Sequence, residues 1–466
     1  MSAPRLTLHD IEAFERWTPF ARPFRFGAVT VEGASQAFVR LVVEVEGHGR
    51  AVGAAAELMP PKWFDKRPER SAAETVDDLR ASLARAVATA SAAGRPDTAF
   101  GRHTAHYEAQ RNWGRDAGLT GLSSGFGVAL IDKAVLDGFA RALGTGFLPL
   151  LTANAVGLDA RLTPDLGEAA IRQWLAGLRP RRSIAIRHTV GLTDPLEGPG
   201  GLAAELSGQT LRFFKIKLGG DPAVDHDRLA AIAAILDAGG FAYGVTVDAN
   251  EQYGAEGLAE LAARLEADAR LNRLRAGLLL VEQPYDRRTT FAAALQPDIA
   301  ALTVIIDEAD EDYDAFPRAQ ALGYRGVSSK SCKGIYKALL NGARVMATNA
   351  GDGARHVLSA EDLTCQPGLA VQQDTALVAA MGLGHVERNG HHYVDGFGPA
   401  PAAEAEAFAA AHPALYDRGG GAVRLATATG QLATASLFET VGFASGAMPD
   451  WSSLSHLTIR TEGHPA

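Results

Sequence analysis

Several short apolar runs in the second half of the chain end on charged residues. FFKIK carries Lys215 and Lys217, TVDAN carries Asp248, LLVEQP carries Glu282, VIIDE carries Asp307 and VSSK ends on Lys330. Burying such groups at strand ends is costly unless they are paired or bind an ion. The three acids are spaced by 34 residues (248 to 282) and 25 residues (282 to 307), each about the length of one β/α unit. Alone, each acid reads equally well as a helix N-cap or a salt bridge. In series at three successive strand ends, Asp248, Glu282 and Asp307 form a hard, all-oxygen donor set suited to Mg²⁺.

The lysines flank this series. Lys217 lies on the strand before the first acid and Lys330 on the strand after the last. In a closed barrel those positions face each other across the mouth, where two lysines can serve as bases on the two faces of a substrate carbon. Strand period two puts Lys215 beside Lys217 on one face, and Asp248 beside Asn250. As a neighbouring like charge, Lys215 is expected to lower the pKa of Lys217. The plainer alternative is that these are surface lysines snorkelling from strand ends, and Lys333 is close enough to Lys330 to compete for its role.

The elements that must position these residues are legible. From Ser183 onward, SIAIRHTVG, RFFKIKLGG, YGVTVDAN, GLLLVEQP, TVIIDEAD, GVSSKSC, HVLSAEDL and GHVERNG read as strands. Between them lie Ala/Leu-rich helical stretches such as 225–238 and 335–348. Eight strands alternating with helices predict a (β/α)8-type barrel, an α/β fold with its polar residues at the C-terminal strand ends. The rival, an open doubly wound sheet, lacks a G-x-G-x-x-G after any strand. Before the barrel, 29–46 (VTVEGASQAFVRLVVEVE) reads as a hairpin broken at Gly33, and 71–92 and 125–143 read as helices. The expected organisation is an α+β unit over 1–150, the barrel over 151–400, and a segment over 401–466 packing back on one of them. That segment opens with a helix at 402–411 and continues as Gly-rich, hairpin-like sequence.

Composition narrows the class. The 466 residues are 47% hydrophobic and 21% charged, as in ordinary globular chains and unlike disordered ones. A net charge of -9 argues against a nucleic-acid partner. Two cysteines, Cys332 and Cys365, make no disulfide scaffold and fit a reducing compartment. With no signal-peptide pattern and no long apolar run, the expected location is the cytoplasm, without membrane contact.

In order, FKIKLGGDPAVDHDRLAAI, VDAN, VEQP, IDEAD and SSKSCKG resemble the enolase superfamily, and Lys-x-Lys with a lysine on the sixth strand is nearest the muconate-lactonizing-like subgroup of the mandelate racemase/muconate lactonizing enzyme family. FGVALIDKAVLDGFARALG, residues 126 to 144, is similar to the helix closing that family's N-terminal capping domain. The resemblance covers about residues 25 to 395. It implies a homo-oligomeric isomerase or lyase with Mg²⁺ held by Asp248, Glu282 and Asp307. Lys217 is then the base, Lys215 its electrostatic helper and Lys330 the opposed acid/base. The implied chemistry is removal of the α-proton of a small carboxylate substrate to give a metal-stabilised enediolate, by racemisation or epimerisation, cycloisomerisation or syn-elimination. A metal acting as Lewis acid is what such a weakly acidic proton requires.

The chain departs from the pattern in places. A mandelate-racemase-type member carries Asp on strand six and His on strand seven. Here strand six offers Lys330, so His356 is read as structural. That dyad would favour an acid-sugar dehydratase, the alternative enzyme reading, and Lys330 disfavours it; loss of a metal acid or a base lysine would favour a non-catalytic binding barrel, and none is missing. Glu361 and Glu387 could reach the mouth or merely cap their strands. The family's specificity loops look like 17–27 (WTPFARPFRFG) and 57–66 (ELMPPKWFDK), lid-like mixtures of aromatic, Pro and basic residues, each of whose residues reads equally well as a surface loop packed on its own domain. His391 and His392, read as adjacent on a strand, would point to opposite faces and so not share a metal.

Overall fold

A computed structural model describes residues 3–26, 29–351, 353 and 355–458. The chain opens with an antiparallel meander of three strands, β1 (Leu6–Phe26), β2 (Val29–Val45) and β3 (Gly49–Met59). The hairpin expected within 29–46 is not there: β2 runs unbroken through Gly33 and turns only at 46–48. Gly33 serves a close approach instead. It pairs with Pro19 of β1, and a Cβ there would stand 2.6 Å from the Trp17 ring and 2.9 Å from the Thr18 carbonyl.

Helices α1 (Ala72–Ala92) and α3 (Gly121–Ala142) pack on this sheet, and α2 (Ala99–Asp116) packs on those two helices. α1 starts where the sequence places it, because Ser71 and Glu74 form a reciprocal capping box. α3 starts four residues before the expected 125, its Thr120 side chain accepting from the Ser123 amide. α3 lies so close to β3 that a Cβ on Gly53 would meet the Ala134 carbonyl at 2.1 Å. α2 was not expected; its buried face carries Arg102, His103 and His106 rather than an apolar stripe.

All eight barrel strands fall on the expected runs: β4 (Ser183–Val190), β5 (Phe213–Lys217), β6 (Gly244–Asp248), β7 (Leu278–Glu282), β8 (Val304–Ile306), β9 (Gly326–Ser329), β10 (Val357–Ala360) and β11 (His385–Glu387). Each pairs in parallel with the next, and β11 returns to β4, leaving a seam between β10 and β11 that makes the barrel nearly closed. Helices such as Pro222–Ala238 and Ile335–Asn349 form the outer layer. The register sets the chemistry in rows, with Lys217 opposite Asp248 and Asp248 opposite Glu282. Beyond the helix Ala402–Ala411, Tyr416–Asp417 and Arg424–Leu425 form a small hairpin. Gln431–Ala433 then pairs with β4 and Ser455–His456 with β1. No helix among the described residues is long and apolar enough to cross a membrane.

Candidate active site

Five adjacent strands deliver the expected residues to one end of the barrel. Asp248 closes β6, Glu282 closes β7 and Asp307 follows β8, all three with no exposed surface. Lys215 and Lys217 lie on β5, and Lys330 follows β9.

Lys217 Nζ is 2.6 Å from Asp248 Oδ2 and 3.0 Å from Asn250 Oδ1. Lys330 pairs with Asp307 Oδ2. Lys333 stands behind it, 3.2 Å from Asp307 Oδ1 and 3.1 Å from Asp310 Oδ2, and so braces the acid rather than facing the mouth. Burial opposes charge on Lys330, but the Asp307 carboxylate more than offsets it and raises the lysine's pKa. Burial likewise works against ionisation of Asp307, yet Lys330 and Lys333 hold its carboxyl well below the usual range.

Lys215 sits deeper, in a cage of carboxylates: 2.7 Å from Glu361, 2.9 Å from Glu282 and Glu387, and 3.0 Å from Asp248. Burial alone would lower its pKa; the four acids raise it well above the ordinary lysine value. Glu361 and Glu387, which the sequence left between cap and site, therefore both belong to the cluster. Glu361 is held from the other side by Arg187 of β4, and Glu387 Oε1 accepts from Thr189 Oγ1 at 2.8 Å. His356 precedes β10, at the strand end opposite Glu361, with its backbone tied to Asn349.

Sequence reasoning passed over Arg187, Glu308 and the contact made by Lys66. Glu308 is fully buried, accepting from Lys66 Nζ at 2.7 Å and from Asn250 Nδ2 at 3.1 Å. Arg187 could have been found by counting two back from Thr189 to an inward-facing strand position.

A small pocket lies directly above the lysines. Lys217, Asn250, Lys330 and Glu387 line its floor, while Phe20 and Phe24 of β1, Leu58 of β3, and Pro60 and Trp63 after β3 line its roof. Both lid segments thus reach the mouth; Gly27 lies outside the described residues. The Lys330 ammonium sits 4.3 Å from the Trp63 ring centroid, a cation–π contact. A larger cleft, between α2 and 311–314, contains none of these groups.

The donor set fits a hard divalent cation. Glu282 Oε2 is buried, and among the described residues its close positive partner is the Lys215 ammonium at 2.9 Å. Burial, followed by the charges of Asp248 and Glu361, pushes the Glu282 carboxyl well above its usual pKa, the condition a nearby dication relieves.

The same barrel-and-cap fold occurs in several solved structures. The chain superposes on the dipeptide epimerase of Enterococcus faecalis, solved with Mg and L-Leu-L-Tyr, at 14% identity over 97% of this chain and 100% of that one (TM-score 0.60). It matches 2-chloromuconate cycloisomerase of Rhodococcus opacus at 18% identity, covering 96% and 98% of the two chains (TM-score 0.62). A Listeria innocua member of the enolase superfamily matches at 14% identity over 97% and 100% (TM-score 0.61). No protein-family model matches the sequence, and comparison with curated proteins finds no match.

Proposed function

We propose that the chain is a Mg²⁺-dependent isomerase or lyase that removes the α-proton of a small carboxylate substrate. The observation that carries this reading is the order Lys217–Asp248–Glu282–Asp307–Lys330 around one buried rim, with both terminal lysines opening on the same pocket. Asp248, Glu282 and Asp307 would hold the ion. When bound, Mg²⁺ supplies Lewis-acid stabilisation of the charge that develops on the substrate carboxylate.

The chain's own residues do the rest. Lys217, aimed by Asp248 and Asn250, carries a proton at one face of the α-carbon; Lys330, aimed by Asp307 and Trp63, carries one at the other. Lys215 is out of substrate reach and neutralises the acids beneath the rim. The aromatic roof of Phe20, Phe24 and Trp63 excludes water from the rim.

Neighbouring structures hold Mg with a dipeptide, or are named for muconate cycloisomerisation, which favours racemisation, epimerisation or cycloisomerisation over sugar-acid dehydration. The test is α-deuterium incorporation by mass spectrometry in D₂O across dipeptides, α-aryl acids and lactone acids. Exchange of at least one class that requires Mg²⁺ and disappears in Asp248→Asn supports the reading. Exchange that is equal in chelator and in Mg²⁺ sinks it.

A further inference from the structure

A second cluster of ligand-type side chains lies outside the barrel interior. Arg187 and Thr189 of β4 reach Glu361 and Glu387, so His188 between them points outward, away from the carboxylates. Its ring meets that of His392 edge-on at 4.7 Å, and His391 lies 3.9 Å from His392, ring centre to ring centre. The expectation that His391 and His392 diverge fails because 390–393 is a helical turn, not a strand. Glu205, on the helix Leu202–Gly208, brings a carboxylate to the same place. One ligand atom from each of His188, Glu205 and His392 falls within 4.8 Å of the others.

Buried polar groups are normally hydrogen-bonded. Here His188 Nδ1, His392 Nε2 and both ring nitrogens of His391 are buried without a hydrogen-bond partner among the described residues, and His188 is only 5% exposed. Burial keeps all three imidazoles neutral, lowering the pKa of His188 to about 3 and of His391 to about 4. Neutral imidazole is the form that binds a metal.

We propose that His188, Glu205 and His392 form a second metal site, for a borderline transition dication of the Zn²⁺ class. Two imidazoles and one carboxylate are a zinc-type donor set, whereas the barrel mouth is all oxygen, so the two sites select different ions. Tetrahedral ligation at about 2.0–2.1 Å per bond needs ligand atoms about 3.4 Å apart, so the rings turn inward on binding. Arg22, whose guanidinium lies 5.2 Å from the Tyr393 ring, opposes a cation here, and the Glu205 carboxylate offsets it. The ion braces rather than reacts: Tyr393, next to His392, packs at 4.5 Å on Phe24 and at 6.0 Å on Phe20, which roof the substrate pocket.

The test uses the full, untagged chain, stripped with chelator and titrated with Zn²⁺ against a chromophoric competitor in excess Mg²⁺. One equivalent of Zn²⁺ is expected to bind, and to bind equally in Asp248→Asn, which separates this site from the rim carboxylates. His392→Asn and Glu205→Gln are each expected to weaken it by at least the roughly 10–100-fold that even outer partners of a metal site carry. Glu205 is partly exposed on a short surface helix, so its variant keeps the test open should His392→Asn misfold. The proposal is overturned if wild-type protein takes up no Zn²⁺ in excess Mg²⁺, or if Glu205→Gln binds it as tightly as wild type.

Discussion

Lys217 and Lys330 open on one pocket while each is tethered to a different end of the carboxylate series, Lys217 to Asp248 at 2.6 Å and Lys330 to Asp307. The tethers come from backbone register: Lys217 and Asp248 are paired residues of neighbouring strands, and Asp307 and Lys330 follow strands that also neighbour each other. A lysine free in solution samples many rotamers, whereas these two have their ammonium groups set by ion pairs within the rim. The same acids that would hold the ion therefore also aim the two lysines proposed as proton carriers.

The first consequence concerns the metal. Asp248→Asn and Glu282→Gln each remove one of the three proposed anionic ligands while leaving side-chain volume nearly unchanged. Both are expected to lower Mg²⁺ affinity below calorimetric detection, with an unaltered far-ultraviolet dichroism spectrum. Wild-type Mg²⁺ affinity in both variants would exclude the rim as the metal site.

Lys215 is the charge on which the cluster beneath the rim depends. Lys215→Met leaves Asp248, Glu282, Glu361 and Glu387 facing one another, with only Lys217 and Arg187, among the described residues, still paired to members of the set. Breaking a buried pair this way typically costs about 3–5 kcal/mol. Urea unfolding should report a loss of that order without metal, and a smaller loss with saturating Mg²⁺, because the ion supplies the missing positive charge. An unchanged midpoint would mean that the acids are protonated or otherwise compensated.

Much of this was readable beforehand, for a physical reason. Buried parallel strands leave compact β-branched runs, and a charge ending such a run is rare enough to mark Asp248, Glu282, Asp307 and the lysines. Other features depend on contacts that local sequence does not encode. Gly33 looks like a turn but answers to the Trp17 ring across the sheet. Glu361 and Glu387 look the same in sequence whether they cap a helix or meet Lys215. The pairing of Ser455–His456 with β1 joins residues more than 400 positions apart through a two-residue strand, too short to carry a pattern. At 391–392 the alternation rule failed because a four-residue helix replaced the strand it assumes.

His106 on α2 gives a pH dependence remote from the rim. Burial, with Arg102 and His103 adding like charge, lowers its pKa from 6.5 to about 4, and its Nε2 has no hydrogen-bond partner among the described residues. The unfolded chain therefore binds this proton more readily than the folded one. The stability tied to neutral His106 is fully present above about pH 6.5 and is lost as pH falls toward 4, at up to about 1.4 kcal/mol per pH unit. Urea midpoints for wild type and His106→Leu between pH 7.5 and 4.5 should converge as pH falls. Parallel curves would show that His106 is not held neutral.

The two lysines can be separated by the face of the substrate that each serves. Suppose a chiral α-substituted carboxylate is accepted and incubated in D₂O with the enzyme. If the reaction is racemisation or epimerisation, the intact protein exchanges the α-proton of both antipodes and interconverts them. Lys330→Ala should still exchange the antipode whose proton faces Lys217, without interconversion, and Lys217→Ala should have the opposite preference. Each change removes one positioned proton carrier, an effect of about 10²–10⁴-fold on the affected face. If the reaction is instead ring closure or elimination, one lysine variant should lose exchange altogether, while the other retains exchange but slows the later step. Lys333→Ala is the control, because Lys333 lies behind Asp307 and braces it without lining the pocket. It should slow both faces equally through Asp307. Equal loss on both faces in Lys330→Ala and Lys333→Ala alike would show that Lys330 only holds Asp307 in place, and the two-face mechanism would be wrong.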